Sequence, residues 1–155
     1  MIADEFALVL EKAKSESVAQ LLFKSARLWN TLALTQIQTQ QAPLLREAHT
    51  RLLPYLDLEG TRITDLAQRL GSSKQAVSQL VHEMESLGMV ELQADPHDRR
   101  AKRVCFSPQG KKSLLHGLKI LKTMEAQLAL QMGEAEMQNL LSGLQKLSRI
   151  LETQM

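Results

Sequence analysis

The chain has 155 residues, of which 44% are hydrophobic, 3% aromatic and 23% charged, a composition typical of a soluble globular domain. The net charge of +2 is too small to indicate nucleic-acid binding by itself, and the single cysteine excludes an intrachain disulfide and a Cys-rich zinc site. Because the sequence shows neither a secretory signal nor an apolar stretch of about 18 residues, we expect a cytoplasmic protein with no membrane partner.

The positive charge is concentrated in the middle of the sequence. Residues 61–112 hold nine Lys and Arg against six Asp and Glu, a net charge of +3, whereas residues 1–60 carry −1 and residues 113–155 carry 0. Four of the nine cations lie within five residues, namely Arg99, Arg100, Lys102 and Arg103. Such a cluster is usually a solvated loop, so its meaning depends on the elements that precede it.

The first part of the chain has the hydrophobic periodicity of helices. It predicts one long helix or a broken pair from Asp4 to Leu34, and the polar run 35–41 is predicted to be a connector. A second helix is predicted from about Pro43 to Leu53, where Pro54 should end or kink it. Its predicted buried face consists of Leu44, Leu45, Ala48, Leu52 and Leu56. Residues 57–62 are predicted to form a turn.

Two short helices that meet at a Gly-Ser-Ser turn follow. The first is predicted to start at about Thr64, a good N-cap, and to end at Gly71, which supplies the left-handed residue. Either Ser72 or Ser73 caps the second, and Gly88 ends it. The apolar stripe of the second helix is predicted to be Val77, Leu80, Val81, Met84 and Leu87.

A charged hairpin is predicted after these helices. Met89–Gln93 and Arg103–Ser107 have the pattern of strands, and residues 94–102, ADPHDRRAK, are predicted to be the loop between them. A helix-turn-helix followed by a charged hairpin is an arrangement that grips duplex DNA, because a helix can enter the major groove while the hairpin reaches phosphates or the minor groove.

Two further helices are predicted, from Pro108 to Met132 and from Glu134 to Glu152, with Gly133 between them. The terminal helices have more apolar surface than a small middle domain can cover. They pack either within one chain or, in the interpretation that we favour, against a second copy. The predicted fold class is therefore mainly α with a small β-hairpin wing. About six helices form a winged helix-turn-helix at residues 41–112 and a dimerisation region at residues 1–40 and 113–155.

The candidate DNA contacts lie on the second short helix and on the hairpin. Ser78 and Gln79 are favoured for base edges and Lys74 for a phosphate. Asp98 and Arg100 are two residues apart in an extended segment, so the acid can hold the arginine at a narrow minor groove. The alternative is a solvated helix face and a surface ion pair of small value. The full predicted set is Ser73, Lys74, Gln75, Ser78, Gln79, His82, Asp98, Arg99, Arg100, Lys102 and Arg103.

A small-ligand pocket is a further hypothesis. Its candidate residues are Trp29, Arg46, His49 and Tyr55, of which Arg46 and His49 share a helix face. In the interpretation that we favour, Trp29 and Tyr55 are core or interface residues, and Arg46 and His49 are solvated. Cys105 is interpreted as a packing residue, with a thiol sensor as the alternative. The sequence shows no paired histidines, phosphate loop or nucleophile motif, so we predict no metal, no cofactor and no enzyme activity.

The stretch Thr64–Gly110 resembles the winged helix-turn-helix of the MarR (multiple antibiotic resistance regulator) family. The resemblance lies in LAQRLGSSKQAVSQLVHEMESLGMVE, in the Asp-Pro-x-Asp-x-Arg wing, and in VCFSPQG, which matches the family's Val-x-Leu-Thr-x-x-Gly with Phe for Leu and Ser for Thr. It implies a homodimeric repressor that reads a pseudo-palindromic operator with the 73–87 helix in the major groove and the 94–103 wing at the minor groove. Asp98 and Arg100 match the wing acid and the minor-groove arginine.

The resemblance also implies release from double-stranded DNA by a small aromatic effector, bound between the dimerisation helices and the DNA-binding lobe. A different hypothesis is a winged-helix protein-interaction module, or a heterodimerising regulator without autonomous DNA binding. The near-neutral total charge and the large apolar terminal helices motivate it. Binding to DNA at low salt separates the two hypotheses.

Overall fold

A computed structural model describes residues 2–40, 42 and 44–154, with the side chains of all of these except residues 2–4 and 99. The chain divides into two units, residues 1–114 and residues 115–155. The described residues form seven α-helices and one three-stranded sheet, so the predicted fold class, mainly α with a small β wing, is confirmed. Among the described helices, none combines the length and the apolar character that a membrane span requires.

The N-terminal segment forms the broken pair of helices, α1 (Ile2–Glu16) and α2 (Val18–Gln40). The break is at Ser17, whose hydroxyl accepts a hydrogen bond from the backbone N–H of Gln20 at 3.4 Å. The predicted connector at residues 35–41 is wrong, because α2 continues through Gln40. Ala33 and Ile37, four residues apart and both buried, keep one face of the helix packed through the polar run.

The next helix is shorter than predicted. It is α3 (Glu47–Leu52), followed by a 3₁₀ helix (Leu53–Tyr55), and its N-cap is Arg46; the predicted start, Pro43, lies outside the described residues. Two residues of the predicted buried face are wrong, since Leu44 is 71% exposed and Ala48 is also exposed. With the helix beginning at Glu47, the side chain that faces the interior between Leu45 and Leu52 is His49.

The two short helices are α4 (Ile63–Leu70) and α5 (Lys74–Ser86). The N-cap of α4 is Arg62, so the prediction of Thr64 is wrong by two positions. Gly71 ends α4 in the left-handed conformation, with φ of 59°, as predicted. Ser73, the second of the two predicted candidates, caps α5 by accepting the backbone N–H of Ala76 at 3.1 Å.

The sheet contains β1 (Thr61–Arg62), β2 (Val90–Asp95) and β3 (Asp98–Phe106), antiparallel in the order β1-β3-β2. The strand β1 lies within the segment 57–62 that was predicted to be a turn. The sequence did not predict this strand, because two residues are too few to show a periodic pattern. The predicted loop at residues 94–102 is wrong, since pairing continues to Asp95 and Asp98 and leaves residues 96–97 as the turn. Residues 99–101 form a bulge in β3. It lies between Asp98, which pairs with Asp95, and Lys102, which pairs with Ala94.

The last two helices, α6 (Pro108–Met132) and α7 (Glu134–Glu152), have the predicted bounds. The main core lies between the short helices and the sheet, and the predicted stripe of α5 contributes to it. Its buried members are Leu52, Leu56, Leu66, Ala67, Val77, Val81, Met84, Met89, Val90, Val104 and Phe106. Leu80 and Leu87 pack against it from partly buried positions.

The start of α6 lies against the turn that follows α5. The backbone N–H of Ser107 donates to the carbonyl of Met89 at 3.1 Å, and the Ser107 hydroxyl donates to the carbonyl of Gly88 at 2.5 Å. A Cβ atom on Gly110 would lie 1.8 Å from the Met89 carbonyl oxygen. Only glycine therefore fits at this position, which explains the final glycine of the sequence motif.

We predict that Gly110→Ala lowers the free energy of unfolding by about 1–3 kcal/mol, because the added methyl group forces backbone apart. Gly143→Ala is the matched control. Its added Cβ meets no described atom within 4 Å, so the substitution in the middle of α7 should stabilise the chain by about 0.5–1 kcal/mol. Urea unfolding of both variants measures the two effects. Unchanged or increased stability of Gly110→Ala would contradict the predicted close approach.

Candidate nucleic-acid interface

The exposed face of α5 is polar and lines an open depression. Most of the predicted helix contacts lie there together with Glu83 and Ser86, namely Lys74, Gln75, Ser78, Gln79 and His82. Ser78 is half-buried and the other four are exposed. Ser73 is also exposed, but its hydroxyl oxygen already accepts the backbone bond that caps the helix. The structure therefore brings five of the six predicted helix residues to one surface.

The wing carries three exposed polar residues of the predicted set, Asp98, Arg100 and Lys102. The carboxylate of Asp98 accepts the backbone N–H of Arg100 at 3.0 Å. This contact fixes the backbone of Arg100, whereas the sequence suggested that the acid holds the guanidinium. The expectation that Asp98 and Arg100 project to the same side assumed a regular strand, and the bulge at residues 99–101 interrupts that alternation.

The other two predicted wing residues, Arg103 and Arg99, are not among the exposed side chains that the structure describes. Arg103 is half-buried, and its guanidinium donates to the carbonyl of Gly60, which precedes β1. Its contact in the structure is therefore within the sheet region. The side chain of Arg99 lies outside the described part of the chain.

Sequence reasoning missed an ion pair at the base of the wing. Asp95, only 4% exposed, accepts Nε of Arg62 at 2.7 Å and the backbone N–H of His97 at 2.8 Å. The hydrogen bond from Arg62 and that from the His97 backbone lower the pKa of Asp95 to about 2. The signal in the sequence was an Asp directly before Pro in a predicted hairpin loop, where an Asx turn is common.

A second polar depression surrounds this ion pair, lined by Asp57, Gly60, Thr61, Arg62, Asp65, Arg69, Asp95, His97 and Arg103. Arg69 on α4 forms an ion pair with Asp57 across it, with 2.9 Å between Nη1 and Oδ2. The hydrogen bond from Arg69 is the main cause that holds the pKa of Asp57 below its usual value. The charges that line this depression are therefore largely paired with one another.

A buried histidine joins α3 to α5. His49 is 2% exposed; its Nδ1 accepts the backbone N–H of Arg46 at 3.1 Å, and its Nε2 lies 3.1 Å from the carboxylate of Glu83. The guanidinium of Arg46 also donates to Glu83. These contacts fit a neutral ring that carries its proton on Nε2. Burial, followed by the nearby charge of Arg46, lowers the pKa of His49.

The interpretation of His49 as solvated is therefore wrong, since the side chain is buried in a helix that begins at Glu47, four residues later than expected. Of the four predicted pocket residues, the structure brings Arg46 and His49 together at Glu83. Trp29 is half-buried on α2, next to Asn30, which accepts the hydroxyl of Thr50 at 3.0 Å. Tyr55 is 40% exposed. Two depressions were described above, one along α5 and one at the base of the wing. Neither of them is lined by any of these four residues.

Cys105 is a packing residue of β3, as interpreted from the sequence. It is 9% exposed, and a Cβ atom on Gly60 would lie 2.4 Å from its sulfur. Burial raises the pKa of its thiol, which disfavours the reactive thiolate.

Comparison with known proteins identifies this arrangement. Residues 44–101, which span α3 to the bulge of the wing, match the family model described as MarR family. The winged helix of this chain is similar to that of the MarR family over these residues. A search of curated proteins found no match.

Several solved structures have the same fold. MepR, described as a transcription regulator of the Staphylococcus aureus multidrug efflux pump MepA, is 20% identical with a TM-score of 0.63 over 87% of this chain and 98% of that chain. RV1404 from Mycobacterium tuberculosis is 17% identical with a TM-score of 0.69, over 86% and 90%. The transcriptional repressor CouR, bound to a 23-mer DNA duplex, is 21% identical with a TM-score of 0.61, over 86% and 94%. At these identities the likeness establishes the fold.

We predict that His49 makes the stability of this winged-helix lobe depend on pH. Because its pKa is lowered in the folded state, its contribution is fully present above the ordinary value of 6.5 and is lost as the pH falls below it. His49→Gln, which is neutral at every pH and retains a donor and an acceptor, should flatten the decline in the free energy of unfolding between pH 7 and pH 5.

His116→Gln is the matched control, since His116 is exposed on α6. This variant should keep the decline of the wild type. Urea unfolding at a series of pH values checks both variants. An equally steep decline in wild type and His49→Gln would show that the ring does not titrate as the structure implies.

Proposed function

We propose that the protein is a homodimeric, sequence-specific DNA-binding regulator of transcription, a repressor that acts in the cytoplasm on a pseudo-palindromic operator. α5 enters the major groove and the wing lies at the minor groove. The observation that carries this proposal is the presence of both devices on one MarR family lobe, the exposed polar face of α5 and the exposed Arg100 on a bulged hairpin.

The residues of the α5 face suit direct reading of bases. Gln79 is exposed and can bond an adenine edge with both amide atoms, while Ser78 can serve either base of a pair. Lys74, at the first position of the helix, binds a phosphate, and Gln75, His82 and the cap Ser73 flank these contacts. Glu83 on the same face is neutralised by Arg46, so it does not repel the duplex.

The wing contributes the exposed cations Arg100 and Lys102 to the proposed DNA-binding surface. Arg100 lies in the bulge, where the regular alternation of the strand is interrupted, and a narrow minor groove attracts an exposed arginine. Lys102 is exposed and binds phosphate, as Arg99 does in this proposal. Because these contacts release counterions, the affinity for DNA falls steeply as salt is raised.

The terminal helices, residues 1–40 and 113–155, form the dimer in this proposal. Large apolar side chains are exposed on each of them. Phe6 is 67% exposed and Phe23 75% on α1 and α2, and Leu130 is 83% exposed on α6. A single chain rarely leaves so many apolar side chains in water, and pairing with a second copy covers them. The two-fold axis of that dimer presents two copies of α5 to two half-sites.

Release from DNA follows, in this proposal, from a small aromatic effector bound beside Trp29, Arg46, His49 and Tyr55. His49 and Arg46 join α3 to Glu83 of the reading helix. A ligand that moves α3 therefore moves α5 as well. The solved neighbours support the regulatory part of the proposal, since CouR is described as a transcriptional repressor and MepR as a regulator of a multidrug efflux pump.

We predict that Arg100→Ala weakens binding to the DNA that flanks the protein's own gene by roughly 1–3 kcal/mol. Fluorescence anisotropy at low salt measures the dissociation constant. Arg69→Ala is the control, because it removes an exposed arginine of the same lobe that lies on α4 and is paired with Asp57. It should bind almost as tightly as wild type. Equal affinities of wild type and Arg100→Ala would disprove the role of the wing, and a wild-type chain that binds no DNA at low salt would favour the protein-interaction module.

A further inference from the structure

The ion pair between Arg62 and Asp95 joins the two edge strands of the sheet. β1 and β2 lie on opposite sides of β3, and Arg103 of β3 is the register partner of both Arg62 and Gln93. Asp95 lies two residues beyond Gln93. The side chain of Arg62 therefore crosses the central strand to reach the last residue of β2, at a distance of 2.7 Å from Nε to Oδ2.

Both oxygens of the Asp95 carboxylate are engaged. Oδ2 accepts Arg62, and Oδ1 accepts the backbone N–H of His97, the second residue of the turn. The carboxylate is 4% exposed, so loss of its partner leaves a buried charge uncompensated. The tip of the hairpin is thus fixed to β1 through the buried carboxylate of Asp95.

The contacts continue from this pair to Arg100 in one direction and to α5 in the other. On the wing side, the turn that begins at Asp95 ends at Asp98, whose carboxylate accepts the backbone N–H of Arg100. On the helix side, Arg62 is the N-cap of α4, and Gly71 alone separates the end of α4 from the Ser-Ser cap of α5. The ion pair therefore lies between the two elements, α5 and the wing, that the proposed function assigns to DNA binding.

We propose that Arg62 and Asp95 are positioning residues for DNA binding, which set the place of Arg100 relative to the reading helix α5. The inference rests on the proposed function. An arginine in the minor groove and a helix in the neighbouring major groove can bind together only if their separation matches the duplex. The ion pair fixes that separation without touching DNA itself, so its effect on affinity passes through Arg100.

A double-mutant cycle tests this inference. The four proteins are wild type, Arg62→Gln, Arg100→Ala and the double variant, and fluorescence anisotropy on the same DNA gives each dissociation constant. We expect Arg62→Gln to weaken binding about tenfold in the wild-type background and less than about twofold when Arg100 is already alanine. A role in stability alone would weaken binding by the same factor in both backgrounds.

Arg69→Gln is the matched control for Arg62→Gln. Arg69 lines the same depression, has similar exposure (42% against 39% for its side chain) and also pairs with an aspartate, but it holds α4 rather than the wing. We expect its affinity to stay within about twofold of wild type in both backgrounds. Thermal unfolding confirms that each variant is folded at the assay temperature, and Asp95→Asn replaces Arg62→Gln in the cycle if the latter is not.

The outcomes separate this inference from the proposed function. If wild type binds no DNA, the proposed function fails, and if Arg100→Ala binds as tightly as wild type, the role of the wing fails. If wild type binds and Arg100→Ala weakens binding, but the effects of Arg62→Gln and Arg100→Ala multiply, the positioning role alone is overturned. Wild-type affinity of Arg62→Gln overturns it as well.

Discussion

The pairing of β3 with strands on both of its edges is the constraint on which the DNA-binding lobe depends. β1 leads directly into α4, β2 follows the end of α5, and β3 leads into α6. One strand therefore fixes the start of the helix-turn-helix, its end and the exit from the lobe. Val104 and Phe106 of β3 belong to the core that also contains the apolar stripe of α5, so the sheet and α5 are held by the same packing.

Buried polar groups refine this arrangement at three joints. Thr61 closes the turn before β1 through hydrogen bonds with Asp57, His49 joins α3 to α5, and Asp95 joins the wing to β1. Among the described residues, no buried side-chain nitrogen or oxygen lacks a partner. Satisfied polar contacts of this kind favour one arrangement of a small core over similar alternatives. The polar surface of α5 and the wing arginine therefore occupy defined places.

Local signals in the sequence were enough to predict most of the lobe. Gly71 and the Ser-Ser cap located the turn between α4 and α5, the apolar period of α5 gave its buried face, and Ser107-Pro108 and Gly133 gave the bounds of α6 and α7. The polar face of α5 followed directly, because once the stripe is buried the opposite face must meet solvent.

The remaining features depend on contacts between distant residues. A two-residue strand such as β1 forms only because β3 lies beside it, and the hairpin extends to Asp95 because Arg62 and the His97 backbone bind its carboxylate. His49 could not be recognised as buried while the start of α3 was misplaced. The role of Asp98 also differs from the expectation, because the bulge changes which atoms of Arg100 the carboxylate can reach.

The central claim, that two copies of this lobe read one DNA site, is tested most directly by hydroxyl-radical footprinting on the DNA that flanks the protein's own gene. Two α5 helices related by a two-fold axis should protect two half-sites whose centres lie about 34 Å apart or a multiple of that distance. The expected result is protection that is symmetric about the centre of a pseudo-palindrome. Protection of a single half-site, or a footprint without two-fold symmetry, would contradict the account.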